Sequence, residues 1–95
     1  MRLHFIVKPK EAMGSYRAVN WLSEKDDDSW GLKTGQIFVR EDWWKDKVKR
    51  LRIEVHEISE IWLMRRWGMS YEEAHKLATK VEQAFMRDKH IRWKE

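Results

Sequence analysis

The sequence contains no cysteine and little proline or glycine, with one Pro and four Gly in 95 residues. Without thiols the chain can form no disulfide, thiolate metal ligand or cysteine nucleophile. The longest wholly apolar run, residues 61–64, is far shorter than the ~20 residues that cross a bilayer. The first residues also lack the apolar stretch of a signal peptide. We therefore expect a soluble, cytoplasmic protein with one domain over residues 1–95.

Charged residues are abundant, at 38% of the chain, and tryptophan occurs seven times. Abundant Lys, Arg and Glu is typical of thermophilic proteins, and large aromatic side chains supply buried area that so short a chain needs. The net charge is +4, but the 20 basic and 16 acidic residues are interspersed, which favours a solvated surface. Residues 45–52 are the most basic segment. Because of this segment, a module that binds nucleic acid is the alternative function.

Strand signals precede helix signals along the chain, and this order predicts an α+β fold. Residues 2–8 alternate as a strand that Pro9 ends, and residues 10–23 fit either a second strand or a short irregular helix. The segment Gln36–Arg40 is rich in β-branched and aromatic residues and predicts a clear strand. Residues 24–29 predict a polar loop without the spacing of a calcium loop.

Two helices are predicted after the strands. The first covers about residues 43–67, ends at Gly68, and carries an apolar stripe that we expect to face the core. That stripe consists of Val48, Leu51, Val55, Ile58 and Trp62. The second begins with Ser70 and Glu73 in a capping box. Its expected core face consists of Ala74, Leu77, Ala78, Val81 and either Ala84 or Phe85.

The first helix contains the motif His56-Glu57-x-x-Glu60. His56 and Glu60 are four residues apart, so a helix places both on one face about one turn from each other. The layout matches the H-E-x-x-H helix of zinc peptidases except that Glu60 stands at the second ligand position. This motif predicts two ligands of a catalytic zinc ion.

The third ligand must come from another element, because one helix face cannot surround an ion. His75 lies on the next helix, at the edge of its apolar face, and is the natural donor. Two imidazoles and a carboxylate form a common catalytic zinc set that leaves a fourth position for water. Glu72 and Glu73 are alternative donors at the start of the same helix.

Glu57 points about 100° away from His56 around the helix, so we expect it beside a metal-bound water rather than on the metal. Zinc lowers the pKa of such a water, and a neighbouring carboxylate can take its proton as a general base. The predicted reaction is hydrolysis of a peptide bond. A His–Glu pair on a charged helix also occurs on ordinary protein surfaces, and a zinc-holding pseudo-peptidase would use the same ligands.

With this motif, Gly68 and a second ligand-bearing helix, nearly the whole chain resembles the minigluzincins, minimal zinc peptidases of thermophilic prokaryotes that include an archaeal member. The resemblance implies a minimal zincin-like domain, in which a small mixed β-sheet precedes the active-site helix. It also implies that the edge strand of the sheet holds an extended peptide substrate by strand addition. The residues that would form this edge are Gln36, Ile37, Phe38, Val39 and Arg40.

The resemblance further implies a latent gluzincin-type endopeptidase, a zymogen whose own terminal segment blocks the cleft. Residues 86–95 are the corresponding inhibitory tail in this chain. His90 in that tail is either an ordinary surface residue or an occluding fourth ligand. The chain departs from the gluzincin pattern in ligand order, because Glu60 takes a histidine position and His75 a glutamate position.

Overall fold

The computed structural model describes residues 2–23 and 30–93, and for residues 89–93 it describes the backbone alone. The predicted loop at residues 24–29 lies outside the described residues. Three strands and four helices form an α+β fold in the order β1 (His4–Lys8), α1 (Lys10–Met13), β2 (Ala18–Asn20), β3 (Gln36–Arg40), α2 (Glu41–Lys45), α3 (Lys47–Trp67) and α4 (Tyr71–Trp93). The chain divides into two compact units, Met1–Ile53 and Glu54–Glu95, and α3 runs from the first into the second.

The first unit is built on a mixed sheet with the strand order β1-β3-β2. β1 pairs with β3 in parallel, with His4 opposite Gln36 and Lys8 opposite Arg40. β2 pairs with β3 in antiparallel fashion, with Ala18 opposite Val39. The expected small mixed sheet is confirmed, and the ambiguous residues 10–23 form both a short helix and a short strand.

The expectation that Gln36–Arg40 is an edge strand is wrong. These residues form β3, which hydrogen-bonds to a neighbour on both sides. Ile37 and Val39 are fully buried, as expected for a strand between two others. The exposed strand edges of the described sheet therefore belong to β1 and β2, and a peptide could extend it only there.

The basic segment at residues 45–52 packs against tryptophan rings of the same unit. The Arg50 guanidinium lies 3.9 Å from the centre of the Trp44 ring, and Lys49 and Arg52 lie 5.3 and 5.4 Å from that of Trp43. Cations at these distances are attracted to the face of an indole. These side chains thus have a structural role in the first unit.

The second unit consists of α4 and most of α3. Gly68 follows α3 with a φ of 66°, a left-handed conformation that glycine adopts without strain. The Ser70 hydroxyl accepts a hydrogen bond from the backbone N–H of Glu73, whose carboxylate accepts one from the backbone N–H of Ser70, so the predicted capping box is confirmed. Among the described residues, no helix is both long and apolar enough to cross a membrane.

The predicted inward faces of the two long helices are largely wrong. Leu51, Ile58 and Trp62 of the expected α3 stripe are exposed, and so are Leu77 and Val81 of α4. The expected burial of Ala74 and Ala78 is confirmed, but the buried row of α4 continues at a spacing of four with Glu82 and Met86. α3 likewise buries the polar residues of its motif, His56, Glu57 and Glu60, together with Ile61.

Candidate metal centre

His56, Glu60 and His75 meet inside the second unit. α3 places His56 and Glu60 on its inward face, and each side chain is only 2% exposed. The short connection between α3 and α4 brings His75 to the same point from the next helix. Each residue offers one ligand atom, and these atoms all lie within 4.8 Å of one another. The cluster could hold a metal ion.

The three ligand atoms form a nearly equilateral triangle. His56 Nε2 is 3.2 Å from Glu60 Oε2 and 3.3 Å from His75 Nδ1, and His75 Nδ1 is 2.9 Å from Glu60 Oε2. In a tetrahedral zinc site with bonds of 2.0–2.2 Å, ligand atoms are roughly 3.3–3.5 Å apart. The triangle therefore fits one face of such a site, with modest expansion on its shortest edge.

Glu82 sets the orientation of the His56 ring. Its Oε1 lies 3.0 Å from His56 Nδ1, and the Glu82 side chain is itself buried. A carboxylate at this distance keeps a proton on Nδ1, so His56 Nδ1 donates the hydrogen bond and Nε2 is directed at Glu60 and His75. A histidine held in this way is prepared to bind a metal through Nε2.

The surrounding carboxylates also favour a positive charge at His56. Burial lowers the pKa of His56, but hydrogen bonds to Glu60 and Glu82, together with the negative charges of Glu57 and Glu60, raise it from 6.5 to about 9. A site that binds a proton this firmly has an excess of negative charge. The same excess favours a cation at the point where the three ligand atoms converge.

Glu57 lies beside the triangle but outside it. Its Oε2 is 3.9 Å from His56 Nε2, and the side chain is 6% exposed. This position suits a group that acts on a ligand of the metal rather than on the metal itself. Glu57 therefore lies next to the three clustered atoms without being one of them.

Tyr71 and Glu82 are the members of the site that the sequence reasoning missed. The Tyr71 hydroxyl lies 3.5 Å from His75 Nδ1, and the two rings are in tilted contact with their centres 5.4 Å apart. Tyr71 comes four residues before His75 and Glu82 seven after it, so the helical period from His75 would have placed all three on one side of α4.

Within the described side chains, His75 completes the cluster with His56 and Glu60, and the alternatives at the start of α4 are not part of it. Glu72 and Glu73 are exposed, and Glu73 is held by the capping box of Ser70. The cluster therefore consists of two imidazoles and one carboxylate, the set of groups that the sequence predicted.

The side chain of His90 lies outside the described residues, whereas its backbone belongs to α4. Fifteen residues separate His90 from His75, which is about 22 Å along a helix axis. Residues 86–93 continue α4 without interruption. A ligand role for His90 in this centre therefore requires the end of α4 to unwind.

Comparisons with protein-family models, with curated proteins and with solved structures give no match for this chain. The function must therefore be inferred from the metal centre itself.

Proposed function

We propose that this chain is a zinc-dependent endopeptidase of gluzincin type, with His56, Glu60 and His75 as the zinc ligands and Glu57 as the general base. The observation that supports it best is the triangle of ligand atoms, with edges of 2.9–3.3 Å, beside a buried carboxylate that is not part of it. The resemblance of the motif to that of the minigluzincins points to the same class of enzyme.

The metal would be zinc because the donor set suits it. Two imidazole nitrogens and one carboxylate oxygen favour zinc over magnesium or calcium, which prefer oxygen ligands alone. When bound, zinc activates water near neutral pH and polarises a carbonyl group. His56, Glu60 and His75 would occupy three positions and leave the fourth to solvent or substrate.

The other residues of the site would position groups and transfer a proton. Glu82 holds the His56 ring by accepting the Nδ1 hydrogen bond. Glu57 would take a proton from the attacking water and deliver it to the nitrogen of the cleaved peptide bond. Since Glu57 is nearly fully buried, little bulk water would compete for that proton.

Replacing Glu57 by Gln tests the assignment. The variant should still bind about one zinc ion per chain, because no ligand is changed, but cleavage of a quenched fluorescent peptide should fall by about 100-fold or more. Glu72→Gln is the matched control, since Glu72 is an exposed glutamate on α4, and it should leave both zinc content and cleavage unchanged.

Metal analysis separates the competing functions. A chain that takes up no zinc, even after zinc is added, would exclude the peptidase and the pseudo-peptidase together. A chain that binds zinc but cleaves no peptide in any form would be a pseudo-peptidase. Binding to nucleic acid with a steep dependence on salt, at equal strength with and without zinc, would instead favour the basic module.

The proposal includes latency, with residues 86–95 as the inhibitory segment and the isolated enzyme as a zymogen. In the conformation described here, residues 86–93 extend α4. Inhibition by this segment would therefore operate through a rearrangement of the end of α4, and removal of the segment would activate the enzyme.

A further inference from the structure

α3 exposes an apolar stripe in the second unit. Ile58 and Trp62 are exposed, and Trp62 remains 54% accessible to solvent. Val55, which is half-buried, precedes Ile58 by three residues, and Trp62 follows Ile58 by four. Apolar residues at alternating spacings of three and four form the seam by which helices pair with other helices.

A groove lies along this stripe. Its volume is about 370 Å³, and it is lined by Ile58, Ser59, Trp62, Leu63 and Val81. Next to it, the Trp67 ring packs edge-on against Trp62 with ring centres 6.0 Å apart, and Trp67 is 60% exposed. We call the groove and this indole pair the apolar face. The groove is the recessed part of the apolar face, and the indole pair is the part that projects.

The apolar face is as large as the centre of a protein interface. Two indoles that are each more than half exposed leave roughly 150–300 Å² of aromatic surface in solvent. Ile58, Leu77 and Val81 enlarge the patch to the order of several hundred Å². A standard interface buries about 800 Å² on each partner, with an apolar centre and a polar rim.

Charges of opposite sign lie at the two ends of the stripe. Glu54, Ile58, Trp62 and Arg66 follow one another at intervals of four residues, so they lie in one row along α3. The row thus begins with a carboxylate and ends with a guanidinium. If a second α3 lies antiparallel to the first, Glu54 of each helix comes opposite Arg66 of the other, and Ile58 comes opposite Trp62.

We propose that the apolar face binds a second copy of this chain in a two-fold symmetric dimer with antiparallel α3 helices. A two-fold axis near the middle of the row lets the indole pair of each copy lie against the groove of the other, as an isologous contact requires. The charge pattern supports self-pairing, because in an antiparallel pair the carboxylate end of each row lies opposite the guanidinium end of the other. The sequence pattern alone leaves the oligomeric state open.

The dimer leaves the candidate metal centre accessible. Glu57 precedes Trp62 by five residues, which places the two side chains about 140° apart around α3. The proposed interface therefore covers the side of the helix away from Glu57. It stands independently of the peptidase proposal, since no residue of the metal centre takes part in it.

Charge reversal tests the antiparallel arrangement. Glu54→Arg and Arg66→Glu each turn two attractive pairs per dimer into repulsive ones, and each should weaken the dimer about tenfold or more. The double variant restores opposite charges across the axis and should dimerise within about threefold of the unaltered chain. Dissociation constants come from sedimentation equilibrium over a range of protein concentrations.

A second variant tests the apolar centre. Trp62→Ser should make the chain monomeric, and its thermal unfolding should confirm that the fold is retained, since Trp62 is exposed. Tyr16→Ser is the matched control, because Tyr16 is an aromatic residue of the first unit with 58% exposure. It should leave the dimer unchanged.

Several results would overturn the proposal. The first is an unaltered chain that stays monomeric up to its solubility limit, and the second is a dimer that persists in Trp62→Ser. Failure of the double charge reversal to restore association would rule out the antiparallel pairing. Trp62-dependent binding to phospholipid vesicles, without self-association, would show that the face is a membrane contact instead.

Discussion

Glu82 is the residue on which the geometry of the metal centre most depends apart from the ligands. Its carboxylate accepts a hydrogen bond from His56 Nδ1 at 3.0 Å and so keeps Nε2 directed at Glu60 Oε2 and His75 Nδ1. Glu82→Gln preserves the size of the side chain but removes its charge. We expect zinc affinity to fall by about 10–100-fold, the usual effect of losing such a partner. Competition with a chromophoric chelator measures this change.

Glu72→Gln again serves as the control, because it removes one carboxylate from α4 without touching His56. It also tests whether Glu72 is a ligand, the alternative that the sequence allows. Zinc affinity that is normal in Glu82→Gln but reduced in Glu72→Gln would mean that the site described here is not the one that binds zinc.

The protonation of His56 couples the stability of the metal-free protein to pH. The pKa of His56 is about 9 in the folded chain and near 6.5 when unfolded. Between these values the folded state binds the extra proton, so the free energy of unfolding should decrease as pH rises. The contribution is complete below pH 6.5 and is lost as pH passes through about 9.

Urea titrations of chelator-treated protein between pH 6 and pH 10 measure this dependence. His56→Gln should flatten it, whereas His4→Gln, which changes an exposed histidine on β1, should not. With saturating zinc the trend should reverse, because the metal competes with the proton for His56 Nε2. Stability that increases with pH in the metal-free protein would contradict the proposed environment of His56.

At the scale of the helices, the sequence predicts the cluster of His56, Glu60 and His75 better than it predicts the packing. The spacing of His56, Glu60 and His75 is sufficient to predict their convergence, because a helix fixes positions four apart and the short turn at Gly68 fixes the next helix. The apolar period of α3 predicts the wrong inward face, because the spacing of apolar residues shows that they share one side of the helix but not whether that side is buried. The inward face belongs to polar groups that bind each other.

The position of a strand in its sheet is harder to derive than its existence. The composition of Gln36–Arg40 predicts a strand, and the strand forms with these bounds. Its place between β1 and β2 depends on two pairings with segments elsewhere in the chain. No local pattern encodes such pairings, so the expectation of an edge strand was wrong. Glu82 was missed for a related reason, since its partner is 26 residues away.

At the scale of the whole molecule, every described side chain of the metal centre belongs to the second unit, Glu54–Glu95. Two helices and one tight turn are sufficient to bring together His56, Glu60 and His75, with Glu57 and Glu82 beside them. The same two helices carry the apolar face. The second unit therefore combines the proposed chemistry with the proposed self-association, while the sheet belongs to the first unit.

The proposed latency is tested by truncation after Arg87, which removes residues 88–95 and keeps the buried Met86 in place. If this segment restrains the enzyme, the truncated chain should cleave peptides faster than the full chain at equal zinc content. Initial rates with a quenched fluorescent peptide measure the change, and thermal unfolding confirms that both chains are folded. The truncated chain with Glu57→Gln controls for contaminating proteases and should be inactive. Equal or lower activity in a folded, zinc-loaded truncated chain would show that residues 88–95 do not inhibit the enzyme.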